Sequence, residues 1–120
     1  MSPDLNVDRR FRRGERIRRH SEFQRVYERG ARIRGRFSTL FVLPNNQTRG
    51  RLGIAATKKL GGAVQRNRAK RLIREVFRRN KLAAGLDVVV VPRRELLGAT
   101  LLALESDYRA ALERRSRQSR

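Results

Sequence analysis

The stretch RNRAKRLIREVFRRNK, residues 66–81, constrains the fold more than any other part of the chain. Eight of its sixteen residues are Arg or Lys and one is Glu, yet its apolar residues recur at helical spacing. At about 100° per residue, one arc of a helical wheel holds Ala69, Leu72, Ile73, Val76 and Phe77. The stretch is therefore predicted to form an amphipathic helix, the basic helix, whose apolar face joins a core.

The opposite face of the basic helix is nearly all positive. Within a sector of roughly 100° on the wheel lie Asn67, Lys70, Arg71, Arg74 and Arg78. Glu75 can pair with Arg71 or Arg79 at i, i+4, but each such pair contributes only about 0.2–0.5 kcal/mol. Lys58 and Lys59 precede the helix on a predicted loop. Solvated surfaces normally mix the two signs of charge, so this face is predicted to bind phosphate, which the helix N-terminus also favours.

The charge of the whole chain points to a polyanionic partner. The formal net charge is +20 over 120 residues, and a field of that strength attracts polyanions. RNA or DNA is the natural partner, and an anionic membrane surface is a weaker alternative. From residue 82 to 108 only two residues are basic and four are acidic. That part of the chain is predicted to be scaffold.

The remaining segments predict one α+β domain. HSEFQRVYERG is typical of a short helix, in which Ser21 and Gln24 match a capping box and Gly30 ends the helix. RFSTLFVL and RLGIAAT are predicted strands, LDVVVVP a buried central strand, and ATLLALESDYRAAL a final amphipathic helix. The order of helices and strands is that of an α+β fold. The domain is predicted over residues 15–113, between a flexible basic arm (1–14) and a basic tail (114–120).

A group of aromatic residues has two readings. Phe23 and Tyr27 share a face of the first helix at i, i+4, and Phe37, Thr39 and Phe41 would share a face of the strand that follows. Such residues are core by default. They can also form a platform on which bases stack at about 1–3 kcal/mol each. The pattern alone leaves both readings open.

The sequence contains no recognisable set of catalytic side chains. His20 is the only histidine and there is no cysteine. The acidic residues lack metal-binding spacing, and KKLGG lacks the spacing of a phosphate-cradling loop. Asn67 has several possible roles: a cap, an RNA contact or a contact with a hydrated metal ion. There is no apolar run of roughly 18 residues and no secretory signal pattern. The protein is expected to be soluble and cytoplasmic, and to bind rather than to cleave.

RNRAKRLIRE, preceded by LGIAATKKLGGAVQ, strongly resembles the signature of the bacterial ribonuclease P protein subunit. SEFQRVYERG resembles the first helix of that family, and LDVVVVPRRE its strand after the basic helix. The resemblance covers about residues 15–112. It implies the order αβββαβα in a single α+β domain, like the second domain of a ribosomal S5-type protein. It also implies a left-handed βαβ crossover, against the usual rule.

The resemblance implies that this chain is the accessory subunit of an endoribonuclease and holds no catalytic residue. The RNA subunit would cut precursor tRNA on the 5′ side of the mature end, with Mg²⁺ bound mainly by that RNA and the substrate and with no organic cofactor. The protein would contact the catalytic RNA subunit and the 5′ leader of precursor tRNA, with no membrane and no obligate protein partner. The motif and the charge pattern together give the RNA-contacting set Lys58, Lys59, Arg66, Asn67, Arg68, Lys70, Arg71, Arg74 and Arg78. The leader-binding cleft would hold Phe23, Tyr27, Thr39 and Phe41.

Two other functions share some of these features. A ribosomal protein that clamps rRNA would have similar charge and a similar fold. A DNA-binding regulator would read a groove with the basic helix, but the chain lacks an evident helix-turn-helix pair or dimerisation seam. One residue also departs from the family pattern: Ala55 stands on a strand where some relatives have a hydroxyl residue, so a leader contact is not expected there.

Overall fold

The computed structural model describes residues 13–118. The predicted arm lies outside these residues except for Arg13 and Gly14, which belong to a 3₁₀ turn, Arg13–Glu15. The helices and strands are α1 (His20–Arg29), β1 (Ala31–Arg34), β2 (Ser38–Pro44), β3 (Arg51–Ile54), α2 (Ala63–Arg79), β4 (Leu86–Pro92) and α3 (Leu101–Gln118). This order confirms the predicted αβββαβα arrangement.

The four strands form one sheet in the order β1-β2-β4-β3. β2 pairs with β1 and β4 antiparallel, whereas β3 and β4 are parallel. Parallel neighbours need a crossover connection, and here it contains α2, the basic helix. β4 is a central strand, as its apolar run predicted. The left-handed crossover that the resemblance implies stays a prediction.

The main core lies between one face of the sheet and helices α2 and α3. Leu40 and Val42 of β2 belong to the same buried cluster as Ile73 and Val76 of α2. Phe37 was predicted to share a face with Thr39 and Phe41, but it precedes β2 and packs in the main core instead.

Asp107 of α3 fixes the bend that turns Phe37 inward. Its carboxylate accepts hydrogen bonds from the backbone N–H of Arg36 at 3.0 Å and of Phe37 at 3.1 Å. The alternation expected of a strand therefore starts only at Ser38, after this bend.

The other face of the sheet packs against α1. Ile17, Val26 and Val89 are buried there. Around them lie half-buried apolar side chains of α1, β2 and β4: Phe23, Tyr27, Phe41, Leu43 and Val91. This second cluster is small and open to solvent along its border, so its aromatic rings both pack and remain accessible.

Helix α1 begins at His20 and is capped by Glu22, so the predicted Ser21–Gln24 capping box was wrong. One carboxylate oxygen of Glu22 accepts the backbone N–H groups of Arg18 and Arg19, each at 3.3 Å. Burial alone would raise the pKa of Glu22, but these bonds and that from Arg51 outweigh it and lower the pKa. The predicted stop at Gly30 is confirmed: a Cβ there would lie 2.6 Å from the carbonyl oxygen of Val26, too close for any other residue without a shift.

Arg51 ties α1 to the sheet. Its guanidinium donates to both carboxylate oxygens of Asp87 on β4, at 2.8 and 2.6 Å, and to Glu22 at 2.9 Å. Asn45 also donates to Asp87, at 3.0 Å. Asp87 is only 5% exposed, so its charge needs these partners. The same arginine thereby fixes the end of α1 that carries Phe23.

Candidate nucleic-acid interface

The basic helix begins earlier than its charge pattern predicted. α2 starts at Ala63, directly after a glycine pair, and its N-cap residue Gly62 offers no side chain to the first-turn amides. Gly61 has φ +143°, a backbone conformation that glycine adopts without strain. The free first-turn amides and the positive end of the helix dipole suit an anion.

Lys58 and Lys59 stand just before this helix. Both are exposed on a 3₁₀ turn, Lys58–Leu60, which is held in place by the buried side chain of Leu60. Both lysines therefore lie within five residues of the start of α2, although they do not line the depressions described next.

The exposed face of α2 carries a shallow depression of about 390 Å³ lined by Asn67, Arg71, Arg74, Glu75 and Arg78. Four of these five were predicted to share a face. Glu75 pairs with Arg78 at 2.6 Å, at i+3, rather than with Arg71 or Arg79 at i±4. The hydrogen bonds from Arg78 hold the pKa of Glu75 below its ordinary value. Arg79 instead approaches Glu105 of α3 at 3.6 Å.

Arg66 and Arg68 flank this depression rather than line it. Two residues apart, they are separated by about 200° around the helix, so they point to different sides. Arg66 is half-buried and Arg68 is exposed. The positive surface therefore wraps around the first two turns of α2.

A second depression, of about 180 Å³, joins α2 to α1 across β3. Its lining consists of Arg16, Ile17, Arg18, Phe23, Leu52, Ile54, Lys70 and Arg74. Arg74 lines both depressions. The basic helix and the first of the predicted cleft aromatics thus border one continuous surface.

Arg74 is held where a second positive charge is close. Burial lowers the pKa of Arg74, and repulsion from the nearby guanidinium of Arg16 lowers it further. Arginine stays charged in any case, so two like charges meet where the depressions join. An anion bound at this point would relieve that repulsion.

The four predicted cleft residues come together over the α1 side of the sheet. The ring centroids of Phe23 and Tyr27 are 6.4 Å apart, and Tyr27 meets Phe41 edge-on at 5.0 Å. Thr39 lies two residues from Phe41 on the same face of β2, is buried, and accepts a hydrogen bond from Arg93 at 2.8 Å. The three rings, here called the aromatic platform, are half-buried, so packing and stacking are compatible rather than alternatives.

Gly53 of β3 makes room for this platform. A Cβ at that position would lie 2.8 Å from the ring of Phe23 and 3.1 Å from Ile17. Phe23 can therefore pack this closely against β3 only because residue 53 has no side chain. Ala55, where the sequence departs from the family pattern, lies just beyond the end of β3 and is half-buried.

Some residues of this surface were missed by sequence reasoning. Arg16 and Leu52 form an isolated parallel bridge, and the N–H of Ile17 donates to the carbonyl of Leu52 at 2.9 Å. This segment covers the outer edge of β3 and brings Arg16 to Arg74. The available signal was Ile17 itself, an apolar residue inside a basic stretch. Nothing local indicated that Arg93 would reach Thr39.

Within residues 13–118, no three His, Asp or Glu side chains come close enough to hold a metal ion. No helix in that range is long and apolar enough to cross a membrane.

Similar proteins were found at the levels of family, sequence and structure. A model of the ribonuclease P family matches residues 11–116. The ribonuclease P protein component of Clostridioides difficile is 31% identical over 107 residues, which cover 87% of this chain and 94% of that protein. The ribonuclease P protein component of Thermotoga maritima is 38% identical over 88 residues, which cover 72% of this chain and 75% of that protein.

Solved structures resemble the fold closely. The ribonuclease P protein from Thermotoga maritima superposes with a TM-score of 0.75 at 31% identity, over 83% of this chain and 96% of that one. The ribonuclease P protein from Staphylococcus aureus superposes with a TM-score of 0.73 at 33% identity, over 82% of this chain and 93% of that one.

Proposed function

Because the chain belongs to the ribonuclease P protein family, we propose that it binds the RNA subunit through its basic helix and the 5′ leader of precursor tRNA through its aromatic platform. As a ribonuclease P protein component it takes part in tRNA processing and associates with an RNA subunit. The observation that supports the rest is the continuity of the two surfaces at Arg74. The alternatives of an rRNA clamp and a DNA-binding regulator have no such support among the relatives.

The basic helix suits a folded RNA. Lys58 and Lys59 before it, and Arg66, Asn67, Arg68, Lys70, Arg71, Arg74 and Arg78 on it, form a positive surface that wraps around α2. Each phosphate that such side chains neutralise releases counterions, so affinity falls steeply with salt. The planar forks of arginine also match phosphate geometry.

The aromatic platform suits a single strand. Phe23, Tyr27 and Phe41 offer ring surface without a set of hydrogen-bonding groups that would select one base. Stacking on such rings tolerates every base. That tolerance is what a protein serving precursor tRNAs with different leaders requires. Thr39, whose hydroxyl is held by Arg93, adds a polar contact at the border of the platform.

We assign the cleavage of precursor tRNA to the RNA subunit. Mg²⁺ takes carboxylate and carbonyl oxygens together with waters, and the interface offers cations, one amide and Glu75, which Arg78 already engages. These residues do not fit a resident Mg²⁺ site, so the metal ions would be held by RNA and substrate. The chain would contribute charge neutralisation and leader binding. We propose that it does so in the cytoplasm.

Removing the platform rings is expected to weaken leader binding selectively. In complex with the RNA subunit, Phe23→Leu with Tyr27→Leu should bind precursor tRNA with a long leader at least tenfold more weakly, since each stacked base contributes about 1–3 kcal/mol. Leucine keeps most of the apolar volume of the second cluster. Binding should be measured for matched precursors with a long leader and with none.

The matched control is Phe37→Leu, because the ring of Phe37 lies in the main core and not on the platform. It should leave the ratio of the two affinities unchanged. An equal loss for leaderless and long-leader RNA in the Phe23/Tyr27 variant would contradict leader binding by the platform.

A further inference from the structure

The edge strand β1 presents two arginines on the side of the sheet that carries the aromatic platform. Ile33 is buried in the main core, on the α2 and α3 side. Side chains alternate along a strand, so Arg32 and Arg34 project to the opposite face, the α1 side. Both are exposed.

The strand register places these arginines next to predicted cleft residues. Arg32 is directly opposite Phe41, and Arg34 is opposite Thr39. Directly paired residues of antiparallel strands have Cβ atoms about 5 Å apart on the same face. The side chain of Arg32 therefore starts beside the ring that Tyr27 contacts at 5.0 Å.

Within residues 13–118, neither Arg32 nor Arg34 forms a salt bridge or a side-chain hydrogen bond with a protein group. The backbone of this edge is itself engaged, since Arg114 of α3 donates to the carbonyl of Arg34 at 3.0 Å. Two charged guanidinium groups thus border the platform while the main chain behind them is held by the fold. Cations next to stacking rings form the combination that binds single strands.

We propose that Arg32 and Arg34 form a second phosphate-binding wall, which takes the backbone of the same single strand after it has crossed the aromatic platform. The inference rests on the proposed function, because the occupant is the 5′ leader. The RNA leader would run from Lys70 and Arg74 over Phe23, which packs against β3, to Phe41 on β2. From there it would continue to β1. The path spans three inter-strand steps of about 4.8 Å each.

This wall makes affinity depend on leader length in two stages. A leader that ends on the platform gains stacking and the contacts with Lys70 and Arg74. A longer one also places phosphates against β1, and each phosphate neutralised on a single strand contributes about 0.7 to the salt dependence of log K. Two contacts would contribute about 1.4.

The test uses the full chain assembled with its RNA subunit and a series of precursor tRNAs whose leaders lengthen one nucleotide at a time from none. With Arg32→Ala and Arg34→Ala together, short leaders should bind as in the wild type, and the last increase in affinity, expected to be about tenfold, should be lost. The salt slope for long leaders should be shallower by about 1.4. The matched control is Arg25→Ala with Arg29→Ala, which removes the same charge from exposed positions of α1 and should behave as wild type.

Three results would contradict the proposal that Arg32 and Arg34 bind the leader backbone. The first is a length dependence identical to that of the wild type. The second is an equal loss at every leader length, which would mean that the arginines contact the RNA subunit or act only through the overall positive charge. The third is unchanged RNA affinity with new self-association in sedimentation, because charged residues on an edge strand also prevent strand pairing between copies. Failure of the proposed function would look different, since the wild type itself would then show no leader dependence.

Discussion

Alanine at Arg66, Arg68 and Arg74 together is expected to weaken binding of the RNA subunit by about 100-fold or more, since hydrogen bonds to charged groups contribute about 1.5–3 kcal/mol each. The slope of log K against log salt should become shallower by about 2–3, close to one unit for each lost phosphate contact. Equilibrium binding of the RNA subunit across a salt series measures both quantities. The three side chains lie in different directions around the exposed part of α2, so the variant tests whether RNA contacts more than one side of that exposed surface.

The matched control removes three exposed arginines outside the basic helix: Arg25, Arg29 and Arg49. Both triple variants lower the net charge from +20 to +17. The control should retain most of the affinity. If the two variants lost affinity equally, binding would depend on total charge, and the assignment of the basic helix would fail.

Arg51→Ala is expected to lower the free energy of unfolding by about 3 kcal/mol, because it leaves the buried Asp87 carboxylate without its bidentate partner. The loss should stand near the lower end of the usual range for such pairs, since Asn45 keeps one hydrogen bond to Asp87. Urea denaturation measures the change. Arg49→Ala, an exposed neighbour, should change stability by about 0.5 kcal/mol or less.

A second substitution tests the physical cause. Adding Asp87→Asn to Arg51→Ala removes the unpaired charge, so it should recover a large part of the lost stability. No recovery would mean that Arg51 stabilises the fold through its aliphatic stem or through Glu22 rather than through Asp87.

The parts of the fold that could be predicted are those whose burial repeats along the chain. Ile73, Val76 and Phe77 recur at helical spacing, and α2 buries all three. Val88 to Val90 form an unbroken apolar run, and β4 is buried between two neighbours. In both cases the local pattern and the tertiary environment agree.

Other elements gave weak or misleading local signals. β1 has one buried residue, Ile33, among four, too few for a period to be recognised without the family resemblance. Phe37 fits the alternation of β2 but lies before the strand, where Asp107 of α3 fixes the bend. Ser21 matches a capping residue, but Glu22 caps the helix because Arg51 holds its carboxylate.

The site was predictable as two sets of residues but not as one surface. Helical spacing placed Asn67, Arg71 and Arg74 on one face. Their meeting with Phe23 depends on Arg16 and Ile17 pairing beside β3, a long-range contact that no local pattern reports. The same is true of the arginines of β1, whose position beside the platform follows from the strand register.

The most direct measurement of the central claim is reconstituted cleavage of precursor tRNA at low Mg²⁺, with the protein alone, the RNA subunit alone, and the two together. We expect no cleavage by the protein, slow cleavage by the RNA, and a marked increase when both are present, largest for substrates with long leaders. Cleavage by the protein alone, or an RNA activity that the protein leaves unchanged over a broad range of Mg²⁺ and protein concentration, would contradict the central claim.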